Sequence, residues 1–213
     1  MSKAILFDLD GTLTDSGEGI INCAKLALSH FGISIPGDQE MREFVGPPLD
    51  LTFRKFGVPA DKTDEAIAVY RSRYKTVGKY ENFPYPGIRE LLQALRDSGH
   101  RLFVATSKPE ALSVDILQHF ALDSYFEIIA GATFDGSRSS KADVISYLLE
   151  QVGNLDNTVM VGDTVFDITG AHAHGIPAIG VAWGYGNVAE MQKAGAYAIA
   201  NSMTELLQLL ERE

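Results

Sequence analysis

The amino-acid sequence predicts an α/β fold: a doubly wound parallel sheet with a small, all-helical segment inserted into it. Short apolar runs, typical of strands buried on both faces, recur along the chain, and amphipathic helical patterns lie between most of them. Strands that alternate with helices favour a parallel sheet covered by helices on both faces. Residues 15–82 break the alternation, because they contain helical patterns and no convincing strand.

Six apolar runs are predicted as the strands of the core. They are "AILF" (4–7), "LFVAT" (102–106), "EIIAG" (127–131), "TVMVG" (158–162), "AIGVAW" (178–183) and "YAIA" (197–200). Three amphipathic helices are predicted between them from apolar residues spaced three and four apart, within 88–95, 112–120 and 144–152. Gly99 and Gly153 follow the first and the third of these as helix stops.

The inserted segment is predicted to be helical near 16–31, 38–44, 48–56 and 61–78. Asp15 and Ser16 are expected to cap its first helix. The stiff segment "FPYPG" (83–87) returns the chain to the sheet. We therefore predict a core domain of residues 1–14 and 83–213, and a helical cap domain of residues 15–82.

Charge and composition narrow the classes of partner. The formal net charge is −10, which argues against nucleic-acid and anionic-membrane partners because both need a basic surface. Cys23 is the only cysteine, so an internal disulfide is impossible. The sequence has no signal-peptide pattern and no apolar stretch of membrane-spanning length, which predicts a cytoplasmic protein. A monomer and a homodimer are both compatible with the sequence.

Polar side chains follow several predicted strands, at the edge where doubly wound sheets bind ligands. Four carboxylates, two hydroxyls and two ammonium groups are expected there: Asp8, Asp10, Thr106, Ser107, Lys108, Lys141, Asp163 and Asp167. Carboxylate oxygens are ligands that Mg2+ prefers, and the ion would offset the repulsion between neighbouring acids. A carboxylate can attack phosphorus, and a second can move the proton of the leaving group. The set therefore predicts phosphoryl-transfer chemistry.

Four ordered segments carry a resemblance to a known family. "DLDGT" (8–12), "ATSKP" (105–109), Lys141 and "GDTVFD" (162–167) resemble the motifs of haloacid dehalogenase-like (HAD) phosphatases. The helical insert after the first segment is similar to the cap of the phosphoglycolate phosphatase branch. The resemblance spans almost the whole chain and implies a Rossmann-like core, a Mg2+ cofactor and an aspartyl-phosphate intermediate.

The resemblance also implies roles for individual residues. Asp8 would be the nucleophile and a metal ligand, and Asp10 the general acid and base, with its main-chain carbonyl on the metal. Lys141 would neutralise the nucleophile and the phosphoryl group. The remaining roles are metal binding by Asp163, with support from Asp167, and phosphate binding by Thr106, Ser107 and Lys108.

Two departures from the family pattern concern these motifs. Ser107 stands where many relatives have Asn, and Lys141 lies in "SSKAD" without the usual following proline. Both Lys108 and Lys141 are candidates for the motif lysine, and Lys141 is favoured because Lys108 belongs to the second motif. In the cap, Gly46 and Pro47 of "FVGPPL" are the predicted substrate contacts, and Arg54 is a candidate for binding a substrate anion.

The resulting hypothesis is a magnesium-dependent phosphatase of small phosphorylated metabolites, with phosphoglycolate-type compounds and nucleoside monophosphates as the first candidates. A phosphosugar mutase would use the same Asp8 and Asp10 while suppressing attack by water. A non-enzymatic receiver phosphorylated on Asp belongs to a different class. It is disfavoured because no Asp ends the predicted strand "EIIAG" and because a receiver needs no cap.

Overall fold

The chain forms two compact units. A computed structural model describes residues 2–153 and 155–212. The larger unit consists of Met1–Thr14 and Pro84–Glu213, and the smaller unit is Asp15–Phe83. The chain therefore leaves the larger unit once and returns to it once.

The larger unit is built on a six-stranded parallel sheet. Numbered along the whole chain, its strands are β1 (Ala4–Phe7), β4 (Arg101–Pro109), β5 (Ile128–Ala132), β6 (Thr158–Gly162), β7 (Ala178–Val181) and β8 (Ala198–Ala200). Their spatial order is β5-β4-β1-β6-β7-β8. The order reverses at β1, so the carboxyl ends of β4, β1 and β6 lie side by side where a doubly wound sheet accommodates a ligand.

Alternate residues of β1 bury themselves on opposite faces of the sheet, as the two-residue period of a strand requires. Ile5 and Phe7 belong to one hydrophobic core, and Ala4 and Leu6 belong to the other. Helices cover both faces, which is why the strands are continuously apolar. The helices of this unit are α5 (Ile88–Asp97), α6 (Glu110–His119), α7 (Lys141–Val152), α8 (Val165–His172), α9 (Val188–Lys193) and α10 (Met203–Glu211).

The smaller unit is helical. Its helices are α1 (Gly17–His30), α2 (Asp38–Met41), α3 (Leu49–Lys55) and α4 (Thr63–Tyr74), with short 3-10 turns at Arg42–Phe44, Ala60–Lys62 and Gly78–Tyr80. The backbones of Gly19 and Gly78 approach so closely that a Cβ on Gly19 would lie 2.0 Å from the Gly78 carbonyl oxygen. Arg73 forms a bidentate pair with Glu81 at 2.6 and 2.7 Å, which ties α4 to the returning chain.

The connections between the units include two short strands. They are β2 (Thr14–Asp15) and β3 (Phe83–Pro84), which form a separate two-stranded sheet. The sequence does not single out either strand, since two residues are too few to show a period.

The predicted α/β fold is confirmed, and all six predicted strands lie in one sheet. Two local predictions are wrong. Strand β7 ends at Val181, so Trp183 lies in the loop that follows it. The Ser16 side chain does not cap α1, because its buried hydroxyl has no partner among the described residues, whereas Asp15 accepts a hydrogen bond from the Gly17 amide at 3.3 Å. None of the helices described is both long enough and apolar enough to cross a bilayer.

Candidate active site

Neighbouring strands bring Asp8 and Asp163 together. Asp8 follows β1 and Asp163 follows β6, and these strands pair in parallel with Phe7 opposite Val161. The Asp8 amide continues the ladder by donating to the Val161 carbonyl at 2.9 Å. Both side chains are buried, so the two carboxylates lie at the same edge of the sheet with little access to water.

Lys141 lies at the centre of the acidic cluster. It is the first residue of α7, and its ammonium nitrogen lies 2.7 Å from Asp8 Oδ1 and 2.7 Å from Asp167 Oδ1. The same nitrogen donates to the Ala105 carbonyl at 2.8 Å. Burial lowers the pKa of Lys141, but attraction to Asp167 and Asp8 outweighs it, so the net pKa is raised. Lys141 is therefore held in its charged form.

Asp163 is almost completely buried, and its surroundings disfavour the charged carboxylate. Burial raises its pKa well above the usual range, and repulsion from Asp167 and Asp8 raises it further. The Tyr185 amide, which donates to Asp163 Oδ2 at 2.8 Å, opposes the rise only in part. The surroundings of Asp163 therefore disfavour its ionised form, and a positive charge nearby would oppose that effect.

Asp167 is held by its own helix. Its Oδ2 accepts hydrogen bonds from the amide and the hydroxyl of Thr164, at 2.9 and 2.8 Å, in a capping box at the start of α8. Its Oδ1 faces Lys141. Burial and repulsion from Asp8 raise the pKa of Asp167, and attraction to Lys141 opposes the rise. Oδ1 lies 2.7 Å from the Lys141 ammonium as an ion pair but receives no hydrogen bond of regular geometry from the described residues, so Asp167 is placed to orient Lys141 by charge.

The cluster has the composition of a hard divalent-cation site. Carboxylate oxygens of Asp8, Asp163 and Asp167 all lie within 4.8 Å of one another. When all three acids are ionised, three carboxylates and one ammonium leave an excess of two negative charges in a buried volume. A divalent cation would neutralise that excess, and oxygen ligands are those that Mg2+ prefers. The residues present therefore fit a magnesium ion.

Asp10 has a different environment from Asp8. Its Oδ2 lies 2.6 Å from the ammonium nitrogen of Lys108, at the end of β4. Its Oδ1 is buried, and no described residue donates a hydrogen bond to it. The two lysines are thus divided between the two acids: Lys141 pairs with Asp8 and Lys108 pairs with Asp10. A carboxylate fixed by one oxygen and unsatisfied at the other is suited to exchange a proton with a bound molecule.

Thr106, Ser107 and Lys108 occupy an irregular part of β4. Pairing with β5 is regular up to Thr106 and then shifts in register before Pro109. Thr106 is buried, and its hydroxyl accepts a hydrogen bond from the Lys108 amide at 3.3 Å, whereas Ser107 is exposed. The shift turns the backbone here away from the regular ladder, so that this segment can offer donors to an anion.

Close backbone approach around Asp163 depends on glycines. A Cβ on Gly11, whose φ is 82°, would lie 2.2 Å from Asp163 Oδ2, and one on Gly184 would lie 2.3 Å from the same atom. On Gly186 it would lie 1.8 Å from the Asp163 carbonyl oxygen. Only glycine permits these contacts. Sequence reasoning identifies Gly11 but not the Gly184–Gly186 loop; the only indication is a glycine pair just after a predicted strand.

The predicted site residues of the helical segment lie in the smaller unit. Gly46 is exposed with a φ of 106°, Pro47 is half-buried, and the exposed Arg54 side chain lies 3.8 Å from Asp50 on the same helix. The structure thus gives Arg54 an acidic neighbour within α3. Roles for these three residues remain predictions.

Comparisons with known proteins give a family match and several similar proteins. The sequence model of the family described as haloacid dehalogenase-like hydrolase matches residues 5–181. The chain is 43% identical to the tyrosine-protein kinase PtkA of Mycobacterium tuberculosis over 95% of this chain and 69% of that protein. It is 40% identical to a 5'-nucleotidase of Pseudomonas aeruginosa, over 97% of this chain and 95% of that protein.

Two further similarities concern phosphatases. A phosphoglycolate phosphatase of Agrobacterium fabrum is 29% identical over 88% of this chain and 84% of that protein. The crystal structure of a predicted phosphatase from Clostridium acetobutylicum superposes with a TM-score of 0.93 at 42% identity, covering 99% of this chain and 98% of the other.

The chain belongs to the haloacid dehalogenase-like hydrolase family. Within that family it is an enzyme of the phosphatase class, and the resemblance found in the sequence motifs is confirmed.

Gly184→Ala is expected to weaken divalent-metal binding and phosphatase activity by about 10- to 100-fold, the usual effect of disturbing a residue that orients a metal ligand. The new Cβ would displace Asp163. Calorimetric titration with Mg2+ and steady-state kinetics measure the two effects. Gly37→Ala is the control, since a Cβ there meets no atom within 4 Å. Equal activity of both variants would contradict a tight fit around Asp163.

Asp163→Asn is expected to raise the melting temperature of the metal-free protein at neutral pH while abolishing activity. The raised pKa values of Asp163 and Asp167 mean that the folded state binds more protons than the unfolded state. Their contribution to stability is therefore present below about pH 4 and is lost as pH rises through the raised values. The variant removes one of these buried charges.

Melting curves of the metal-free proteins between pH 4 and pH 8 test this expectation. The exposed Asp156→Asn variant is the control, and its melting curve should follow that of the wild type. Addition of Mg2+ should raise the melting temperature of the wild type more than that of Asp163→Asn. If metal-free Asp163→Asn melts below the wild type at neutral pH, the charge at position 163 is not destabilising.

Proposed function

We propose that this protein is a magnesium-dependent phosphatase that hydrolyses small phosphorylated metabolites through an aspartyl-phosphate on Asp8. The observation that carries the proposal is the buried pair between Asp8 and Lys141, at 2.7 Å, next to the carboxylates of Asp163 and Asp167. A carboxylate fixed beside an ammonium group and a cation-binding cluster can receive a negatively charged phosphoryl group.

Asp8 and Asp163 are the proposed side-chain ligands of Mg2+, with Asp167 supporting them through Lys141. The main-chain carbonyl of Asp10 is a further proposed ligand. When bound, the ion offsets the charge of the phosphoryl group and of the acids that surround it. The raised pKa of Asp163 supports this assignment, because burial and the neighbouring acids disfavour its ionised form and a cation would oppose both effects.

In the first proposed step, a carboxylate oxygen of Asp8 attacks phosphorus. The Asp8–phosphorus bond forms and the ester P–O bond breaks, with the leaving oxygen taking a proton from Asp10. In the second step, Asp10 accepts a proton from a water molecule, which attacks phosphorus and releases inorganic phosphate from Asp8. Lys141 balances the charge of Asp8 in both steps. Thr106, Ser107 and Lys108 are the proposed phosphate contacts.

Asp10 is separated from Asp8 by one residue and is paired with a different lysine. This pairing supports different tasks for the two acids, because the Lys108 pair leaves one Asp10 oxygen with no hydrogen bond from any described residue. The proposed substrate contacts from the smaller unit are Gly46, Pro47 and Arg54. In this proposal the cap predicted for residues 15–82, which corresponds to the smaller unit Asp15–Phe83, excludes water and selects the leaving group.

Nucleoside monophosphates and phosphoglycolate-type compounds are the substrates proposed for the first assays. The named relatives support both: a 5'-nucleotidase at 40% identity and a phosphoglycolate phosphatase at 29% identity. The tyrosine kinase at 43% identity supports a second candidate, transfer of a phosphoryl group to a tyrosine hydroxyl. The two functions differ in the acceptor, which is water in one and a phenol in the other.

Asp8→Asn should lower turnover of an aryl phosphate by at least about a thousandfold, since it removes the nucleophile. Asp10→Asn should lower turnover by about 10²- to 10⁴-fold, the usual contribution of a general acid and base. Phosphate release assays measure both. Mass spectrometry after acid quenching should detect a phosphoenzyme in wild type or Asp10→Asn but not in Asp8→Asn. Full activity of Asp8→Asn would exclude the proposed nucleophile.

Chelation should abolish activity, and Mg2+ should restore it, if the cluster holds the ion during turnover. A screen of phosphorylated metabolites ranked by kcat/KM should place a nucleoside monophosphate or a phosphoglycolate-type compound first. The same protein incubated with ATP and a tyrosine peptide tests the kinase candidate, and isomerised sugar phosphate tests for a mutase. Phosphate release that is unchanged by chelation would rule out the proposed cofactor.

A further inference from the structure

The loop before Lys141 contains few stiff residues, and its tip is held locally by Asp135 Oδ1, which accepts hydrogen bonds from the amide and the hydroxyl of Ser137 at 3.0 and 2.8 Å. Residues 133–140, "TFDGSRSS", contain one glycine, three serines and no proline. Lys141 nevertheless must hold its ammonium group between Asp8 and Asp167. Ordering the backbone of a glycine-containing segment costs conformational entropy, so contacts from outside the loop are expected to add to these local hydrogen bonds.

Arg138 provides such contacts. Its Nε donates to the Gly131 carbonyl at 2.7 Å, and its Nη2 donates to Glu110 Oε2 at 2.8 Å. The guanidinium carbon lies 3.6 Å from the centre of the Tyr147 ring. Only about a sixth of the side chain is exposed, at 17%. A planar guanidinium can bond two acceptors and stack on an aromatic ring at once, which an ammonium group cannot do.

The backbone of Arg138 closes the loop. The Thr133 amide donates to the Arg138 carbonyl at 2.8 Å, and the Arg138 amide donates to the Thr133 hydroxyl at 3.1 Å. Arg138 therefore joins the start of the loop to its end. Thr133 directly follows β5, and Arg138 lies three residues before Lys141, where α7 begins.

The partners of Arg138 also reach the Lys108 segment. Glu110 accepts a second hydrogen bond, from the Gly131 amide at 3.2 Å. A Cβ on Gly131 would lie 2.6 Å from the Lys108 carbonyl oxygen, so the end of β5 packs directly on the turn that carries Lys108. One arginine thus connects the segment that ends in Lys141 with the segment that holds Lys108.

Two further contacts act at the start of α7. The Ser140 hydroxyl accepts from the Asp143 amide, and Asp143 Oδ2 accepts from the Ser140 amide, both at 3.1 Å, in a capping box. A Cβ on Gly170 would lie 2.6 Å from the Cβ of Lys141, so α8 packs against the lysine stem. These contacts fix the helix start, and Arg138 fixes the loop that leads to it.

We propose that Arg138 is a positioning residue for phosphoryl transfer. By contacting Gly131, Glu110 and Tyr147, it holds the ammonium group of Lys141 at ion-pair distance from Asp8. The inference rests on the proposed function for the role of Lys141. Arg138 itself touches neither Asp8 nor Asp163 in the contacts described, so its effect is transmitted through the loop and the start of α7.

Arg138→Met is the central test. It keeps a long apolar stem against Tyr147 and removes both hydrogen bonds. We expect kcat to fall by about 10- to 100-fold, the range seen for residues that orient a catalytic group from outside it, with a much smaller change in KM. Arg138→Lys should recover only part of the lost activity, because an ammonium group cannot reproduce both hydrogen bonds and the stacking of a planar guanidinium on Tyr147.

Arg101→Met is a matched control. Arg101 forms a bidentate pair with Glu127 at 2.8 and 2.6 Å and lies over the Phe103 ring, so it also joins β4 to the segment at β5. It lies at the opposite end of these strands from Lys108. We expect Arg101→Met to lower the melting temperature without lowering kcat. Equal losses of kcat in the two Met variants would overturn the proposal and indicate a general effect of stability.

Amide hydrogen exchange gives a second readout that does not depend on activity. Exchange within residues 131–141 should accelerate in Arg138→Met and stay unchanged in Arg101→Met. Unchanged exchange in Arg138→Met would overturn the proposal. If the wild type hydrolyses no ester, the proposed function fails, and exchange still decides whether Arg138 holds the loop. Glu110→Gln, which weakens one contact of Arg138, replaces Arg138→Met should that variant not fold.

Discussion

The ammonium group of Lys141, shared between the buried carboxylates of Asp8 and Asp167, is the interaction on which the site depends. Without it, three acids would lie within a few ångströms of one another in a volume that water barely enters. Attraction between opposite charges grows as the surrounding dielectric falls, and so does the cost of an unpaired charge. One lysine forms ion pairs with two acids, and the pKa of Asp163 is raised, so a divalent cation would favour the ionised form of that third acid.

The sheet makes this arrangement possible. Parallel strands place their carboxyl ends at one edge, so residues far apart in sequence, such as Asp8 and Asp163, become neighbours. Alternate residues of β1 pack into two separate hydrophobic cores, one on each face of the sheet. This packing fixes the position of β1 and therefore of Asp8 at its carboxyl end. Glycines at positions 11, 184 and 186 then let two backbone segments, the turn at Gly11 and the Gly184–Gly186 loop, reach Asp163 at distances that a side chain would prevent.

The same strand order separates two acid–base pairs. Asp8 pairs with Lys141 from α7, whereas Asp10 pairs with Lys108 from the end of β4. Asp8 and Asp10 are separated by one residue, and because each has its own lysine partner, the two acids can have separate chemical tasks. Arg138 adds a connection between the two lysine segments, since its hydrogen bonds reach Gly131 and Glu110. Geometry at the reacting groups therefore depends on contacts several residues away from them.

Much of this could be predicted from the sequence. The apolar runs determined the six strands, since continuous apolar residues of that length suit a sheet buried on both faces. The acids after the first and fourth strands and Lys141 indicated the site, because strand ends converge in any doubly wound sheet. Short elements were beyond prediction: β2 and β3 have two residues each, and the unsatisfied Ser16 hydroxyl contradicts a local capping preference.

By itself, the sequence determined the class of fold, the edge at which the polar residues gather and the family to which the chain belongs. Only the tertiary structure decided which lysine pairs with which acid, because residues 108 and 141 are both cations that follow strands. It also decided that Gly184 and Gly186 surround Asp163, and that Arg138 holds the loop before Lys141. A pattern along the chain shows local preference, whereas pairing of charges and close approach of backbones depend on distances that arise only when distant segments pack.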